Sequence, residues 1–451
     1  MLEGPLLFVV LFSAIVFIIV ATAFLKIHPF IVLMIAAYMV GILVGMPLSE
    51  LTNTINTGIG NMMRHIGLVI VTGTIIGVIL EKSGAALRMA DVVIRCVGAR
   101  RPQLAMSLIG AIVSVPVFCD SGFVILASLN KATARKAKVS LASMSVALST
   151  GLYATHTLVP PTPGPIAAAG NIGAADYLGL VILIGLLVSV PTIIAGYLWA
   201  TLVAVRIEIS GEHDEMLDEA ANILNDNLPA TWKSLAPIVV PVCLIGLGSV
   251  ISFSGYTGIG AALGMFLGAP TTALFAGLFF AFLLLPRFNE ETMTGWIGAG
   301  IHSAAPILLI TCAGGAFGSV LSATPLADLI KSMAEGGLFG GPFVLVLPFV
   351  IAACLKTARG SSTAALVVTS ALIAPFLTGM GIASPLELTL VVMAIGAGAM
   401  TVSHANDSYF WVVAQFSGMT VNQAYKAHTM ATFLQVITAF AFTFLLHLIL
   451  V

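Results

Sequence analysis

Charge is what this chain has least of. Of its 451 residues only 8% are Asp, Glu, Lys or Arg, while 59% are hydrophobic and the mean hydropathy is +1.10. A soluble domain carries roughly 25% charged residues, so a water-exposed globule is excluded and an all-α polytopic membrane protein is expected. The five cysteines show no CxxC or metal-ligand spacing and four lie in apolar runs, which argues against a disulfide framework and reads as small core residues. No HExxH or other short-range ligand pair is present, so an intramembrane metal enzyme has no motif behind it and no cofactor or metal is implied. The first apolar run, Leu6–Leu25, has the length of a membrane helix. It lacks both a basic residue ahead of it, where Glu3 stands, and a small-residue cleavage site behind it, so it reads as a retained span. A net charge of −1 gives no reason to expect a nucleic-acid partner. The positions of the charges are more informative than their sum.

Apolar spans fall at Leu6–Leu25, Pro29–Val44 and Ile66–Leu80, followed by the basic amphipathic stretch Glu81–Gln103. Leu104–Asn130 is too short to cross twice as helices, yet basic clusters flank it on both sides, the second running from Lys131 to Lys138. It is expected to be a re-entrant hairpin with its tip at Pro116–Gly122, irregular backbone that a membrane tolerates only against protein or a water-filled cavity. Ser140–Asp176 is expected to be a broken span, opened at His156–Pro165 by four prolines in six positions. After a further span to Val205, residues 206–233 carry seven acidic residues against two basic ones and read as a cytoplasmic linker.

The remainder repeats this plan. Spans at Ser234–Ile251, Thr271–Leu285 and Ile307–Leu321 precede an amphipathic Pro325–Gly341, a second hairpin at about 342–375 with its tip at Lys356–Thr363, and a second broken span at about 386–416 opened at Met400–Ser408. A last span ends at Val451. Gly73–Leu80 resembles Gly314–Leu321, and the distances from there to the hairpin tips are 43 residues (Gly77 to Asp120) and 42 (Gly318 to Gly360). Residues 1–205 and 234–451 are therefore expected to be two repeats of five crossings each, and so inverted. With Glu81–Gln103 cytoplasmic and both termini external, all 18 Lys and Arg fall inside except Arg64, Lys331 and the two intramembrane cations Lys356 and Arg359. Inverted repeats whose discontinuities meet at mid-membrane are a secondary-transporter architecture.

The chemistry is expected where these four discontinuities converge. Each tip presents a helix N-terminus, which favours a carboxylate: Ser121 and Gly122 at one, Gly360, Ser361, Ser362 and Thr363 at the other. Arg359 offers a bidentate fork for an organic anion or, alternatively, an internal partner to Asp120 or Asp407. Lys356 adds a point charge that binds the anion or only guides it. Asp120 and Asp407 are the acidic residues well inside apolar regions, candidates for carrying a proton or completing a cation site, with helix capping as the plainer role for Asp120. His156 and His404 occupy corresponding openings and titrate near physiological pH, though a buried hydrogen-bonded histidine fits either equally. Thr157, Asn406 and the tip hydroxyls suit a polyhydroxylated substrate or satisfy broken-helix backbone.

Five strings, Lys26–Phe30, Val115–Gly122, Thr155–Pro165, Ala358–Ala364 and Ser403–Ser408, resemble the gluconate permease family of bacterial inner-membrane transporters within the wider ion-transporter superfamily, over essentially the whole chain. The resemblance implies proton-coupled uptake of gluconate or a related sugar acid by a homodimer in which a transport unit moves against a scaffold. Members also carry idonate, fructuronate, glycerate or D-serine. Sodium-coupled branches have Ser-Asn-Thr tips, whereas this chain has Asp120-Ser121-Gly122 and Gly360-Ser361-Ser362, which favours protons. The expected activity is sugar-acid:proton symport rather than catalysis, with D-serine or glycerate transport and an uncoupled anion channel as the other readings.

Overall fold

The computed structural model describes residues 5–23, 25–98, 101–209, 228–254, 257–324, 344–377, 379–405 and 407–451. These are helical with short connections and contain no strand. The first half runs α1 (Pro5–Ala23), α2 (Pro29–Leu43), α3 (Leu48–Lys82), α4 (Ala85–Val97), the pair α5 (Pro102–Val113) and α6 (Cys119–Ala137), the broken pair α7 (Leu141–Leu158) and α8 (Pro163–Ile172), and α9 (Leu178–Leu202). The second runs α10 (Thr231–Ser254), α11 (Ile259–Gly268), α12 (Pro270–Phe282), α13 (Glu291–Ser322), the pair α14 (Val346–Arg359) and α15 (Ser362–Leu377), the broken pair α16 (Pro385–Ala399) and α17 (Ser408–Ser417), and α18 (Val421–Leu450). Both halves contain, in the same order, a long helix (α3, α13), a short helix pair, a broken pair and a last long helix. The expected acidic linker and the amphipathic Pro325–Gly341 lie, apart from the linker's ends, outside the described residues.

Among the described residues five helices are long and apolar enough to cross a membrane, and α11 with α12, bent by 67°, has that length and apolarity only when the two are taken together. The chain is a multi-pass membrane protein. At about 1.5 Å per residue, α5, α14 and α15, of 12, 14 and 16 residues, fall short of a hydrocarbon layer of about 30 Å.

Two helices run further than hydropathy suggests. α3 begins at Leu48 rather than Ile66, through the polar segment Leu48–Met62 that hides a narrow apolar stripe of Leu51, Ile55 and Gly58 against α13. α13 likewise begins at Glu291 rather than Ile307. The breaks follow proline chemistry. Val159 is extended because it precedes Pro160, which ends α7 at Leu158. Pro163 and Pro165 fall in the first turn of α8, where a missing N–H costs nothing. The opening is therefore only residues 159–162.

Burial separates centre from periphery. All 18 residues of α7 are buried, as is Thr389–Ala399 of α16, so these helices are enclosed by protein on every side. By contrast α9, α10, α12 and α18 leave Leu183, Val190, Val250, Phe279 and Leu448 exposed, an apolar belt suited to lipid. Around the centre, α5 packs on α7, α8 on α15, α14 on α16 and α6 on α17, so each helix pair touches parts of both broken spans.

Candidate functional site

The tip of the second pair is built by Gly360. It closes α14 in the left-handed region (φ +77°), donating its N–H to Lys356 O at 2.7 Å, and so turns the chain directly into α15. Ser361 Oγ accepts the N–H of Ala364 at 3.3 Å and caps the new helix. Lys356 and Arg359 are therefore not in a loop but in the last turn of α14. Lys356 is 1% exposed, and its Nζ donates to Asp407 Oδ2 at 2.6 Å and to Gly360 O at 3.2 Å. It also lies 5.8 Å from the Tyr153 ring centroid.

Asp407 belongs to the break between α16 and α17. Oδ1 accepts the N–H of Tyr409 at 3.1 Å, which makes Asp407 the N-cap of α17, and Oδ2 also accepts from Ser403 Oγ at 2.7 Å. Ser403 is fixed in turn: its N–H donates to Thr432 Oγ1 at 3.1 Å and its carbonyl accepts from Thr429 Oγ1 at 2.5 Å. His404 stands at the edge of the break with Nε2 3.0 Å from Thr357 O. Asn406 lies outside the described residues.

The four discontinuities meet crosswise. Ser408 Oγ, opening α17, donates to Asp120 Oδ1 at 3.2 Å at the tip of the first pair, where Cys119 Sγ lies 3.7 Å from Oδ2. Tyr153 of α7 shares a hydrogen bond of 2.9 Å with Ser362 Oγ at the tip of the second pair. Gly164 of α8 faces Leu366 and Thr363. Gly122 packs on Leu152, and the Ser121 hydroxyl lies beside the Glu81 carboxylate. Gly77 of α3 comes so near Pro116 O that a Cβ there would collide with it, so the first tip rests directly on α3 backbone.

Other expected residues are placed differently. Arg359 points away from Asp407, its Nη1 donating to Thr22 O at 3.2 Å in the last turn of α1 and to Ile27 O at 3.0 Å in the link to α2. His156 and Thr157 are in the last turn of α7 rather than in an opening. Thr157 Oγ1 is turned back to Tyr153 O at 3.1 Å, while buried His156 packs on Phe118 with ring centroids 5.8 Å apart and has no partner for Nδ1. A cavity of about 590 Å³ lies to one side, between α3, the end of α8, α13 and α15, and is lined by Asn61, His65, Asn171, Asp176 and Ser319 but by none of the tip residues. Asn171 ties α8 to α15 there through Val367 O and Ser370 Oγ at 3.1 and 2.9 Å.

Three contributors have no motif. The rings of Tyr153 and Tyr409 pack with centroids 5.3 Å apart and planes tilted by 32°, and Tyr409 OH donates to Ser149 O at 2.9 Å. Behind them His428, fully buried, sets Nδ1 3.1 Å from Ser149 Oγ and its ring edge-on to Tyr409. Their signal is only that each carries a polar atom into the packing around the fully buried α7, where it needs a partner. Among the described residues no three His, Cys, Asp or Glu side chains gather as a metal site.

The sequence model of the GntP family permeases matches residues 5–449. The chain is 33% identical over 444 residues to a D-serine transporter, DsdX, of Escherichia coli, covering 97% of this chain and 98% of that protein. It is 32% identical over 432 residues to a gluconate permease of Pseudomonas aeruginosa, covering 94% of each. The fold is similar to the crystal structure of the YdaH transporter of Alcanivorax borkumensis, with a TM-score of 0.68 over 93% of this chain and 98% of that one, at 16% identity.

Proposed function

Because the chain belongs to the GntP permease family, a family of membrane transporters, we propose that it carries gluconate or a related sugar acid inward with protons, by alternating access across a bacterial cytoplasmic membrane. In this reading the two halves are inverted repeats with both termini periplasmic, α5–α6 enters from the cytoplasm and α14–α15 from outside, and the unit is a homodimer.

One observation carries the reading: a fully buried lysine beside the N-terminus of α15, at the point where all four broken elements meet. The first N–H groups of a helix have no partner within it and favour an anion. A substrate carboxylate fits against the N–H groups of Ser361–Thr363 with Lys356 as its cation. Arg359, engaged with Thr22 and Ile27, becomes a strut to the end of α1 and the link to α2 in place of the bidentate grip expected of it. Substrate hydroxyls fall to Ser121, Gly122, His156 and Asn406, with Thr157 contributing little beyond its helix, and the titratable groups at hand are Asp120, Asp407 and His404. The D-serine transporter among the relatives supports a second reading, in which the same carboxylate site serves an amino or hydroxy acid such as D-serine or glycerate.

Binding tests both. Purified protein titrated with gluconate, glycerate, D-serine and a hexuronate is expected to be stabilised against heat by at least one of them, by about 2.7 kcal/mol at 100 times its Kd. No shift with any of the four would remove both readings.

A further inference from the structure

We propose that Lys356 and Asp407 form an exchangeable ion pair that couples one proton to one substrate carboxylate. The carboxylate replaces Asp407 at Lys356, and Asp407 leaves the pair protonated. This rests on the transport reading and specifies how its coupling arises.

The pair is desolvated on both sides, with side-chain exposures of 1% and 5%, so neither charge can lose its partner without acquiring another or becoming neutral. It also sits at a joint. Lys356 and Gly360 belong to the tip of the α14–α15 pair and Asp407 and Ser403 to the break before α17, so the 2.6 Å contact pins one discontinuity to another. Any opening between these elements must break it.

The groups facing the pair leave few alternatives. Asp120 and Cys119 face it from α6, Tyr153 and His156 from α7, Tyr409 from α17 and His428 from α18. Asp120 is the second carboxylate among them, but it lies nearer the surface and accepts from Ser408 rather than touching Lys356. His428 is held by Ser149. Asp407 is therefore the carboxylate in contact with the cation.

The charges balance in both states. Without substrate the centre holds one ammonium and one carboxylate. With a substrate carboxylate on Lys356, a proton on Asp407 Oδ2 returns the sum to zero. The proton has a receiver already in place, since a serine hydroxyl both donates and accepts by rotation. Ser403 Oγ, 2.7 Å from Oδ2, donates to the carboxylate and accepts from the carboxylic acid. Oδ1 accepts the Tyr409 N–H in either form, so the cap of α17 survives the exchange. Substrates with a single negative charge fit this scheme, whereas a dicarboxylate would leave one charge uncompensated.

Titration calorimetry of the full-length protein with gluconate, in buffers of different ionisation enthalpy, tests this. Wild type is expected to take up one proton per gluconate, with a Kd that weakens ~100-fold from about pH 6 to about pH 8, the linkage for one bound proton. Asp407→Asn keeps the cap and mimics the protonated form, so it is expected to bind with no proton uptake and a Kd that varies less than about twofold over that range. The neutral double variant Lys356→Gln/Asp407→Asn leaves no lone buried charge; it is expected to elute as folded protein and not to bind gluconate. Proton uptake retained by Asp407→Asn would overturn the exchange and leave the transport reading standing, as would gluconate binding by the double variant near wild-type affinity. Wild-type binding without proton uptake overturns the exchange as well, while no gluconate binding by wild type overturns the exchange together with gluconate as the substrate.

Discussion

Tyr153→Phe isolates the contact between the second tip and the first broken span. The phenyl ring keeps the packing on Tyr409 and the face below Lys356, so what is lost is one hydrogen bond of 2.9 Å to Ser362 Oγ. Tyr153 is 1% exposed and Ser362 8%, so water cannot replace the missing partner. A buried hydroxyl left unpaired costs about 1–3 kcal/mol, whereas removing both partners together is close to neutral. Tyr153→Phe and Ser362→Ala are each expected to destabilise the protein by about 1–3 kcal/mol, and the double variant by far less than their sum, with an interaction free energy of about 2–3 kcal/mol. Equilibrium unfolding in mixed micelles of the four proteins gives the cycle. Additive effects, with an interaction below about 0.3 kcal/mol, would refute the bond and with it the crosswise meeting of the two elements.

Two further substitutions separate structural from binding roles. Gly360→Ala forces a Cβ into the left-handed turn and is expected to lower stability by about 1–2 kcal/mol, read as a fall in unfolding midpoint; an unchanged midpoint would contradict the turn. Arg359→Lys is expected to change the substrate KM less than about twofold while lowering thermal stability, because half-buried Arg359 holds two carbonyls, one in the last turn of α1 and one in the link to α2. A several-fold rise in KM would return Arg359 to the binding site.

The alternation of long spans, short helix pairs and broken helices was legible because hydropathy, proline and basic clusters mark it directly. The string Pro160 to Pro165 had to interrupt a helix, and the positions of Asp120 and Gly360 located both tips. What was not legible depends on contacts between distant residues. Nothing local distinguishes Lys356 from Arg359, three positions apart in one helical turn; the choice is made by which face of α14 meets Asp407 and which meets Thr22 and Ile27. His156 looked exposed to an opening because proline follows it closely, yet the restriction falls on Val159, the residue before Pro160, so the last turn of α7 stays intact. Tyr153, Tyr409 and His428 are ordinary core residues by pattern, and only the enclosure of α7 makes their polar atoms part of the site. The polar first half of α3 escaped hydropathy because its buried stripe consists of only three residues, Leu51, Ile55 and Gly58.

The central claim, that movement of a carboxylate is tied to that of a proton, is tested most directly by the steady-state distribution of gluconate in proteoliposomes. With one proton per carboxylate and no net charge moved, an inward gradient of one pH unit is worth about 1.4 kcal/mol and is expected to concentrate gluconate about tenfold inside, a ratio that returns to one when a proton ionophore with a counter-ion path dissipates the gradient. Gluconate that equilibrates to the same concentration on both sides while the gradient persists would contradict the account.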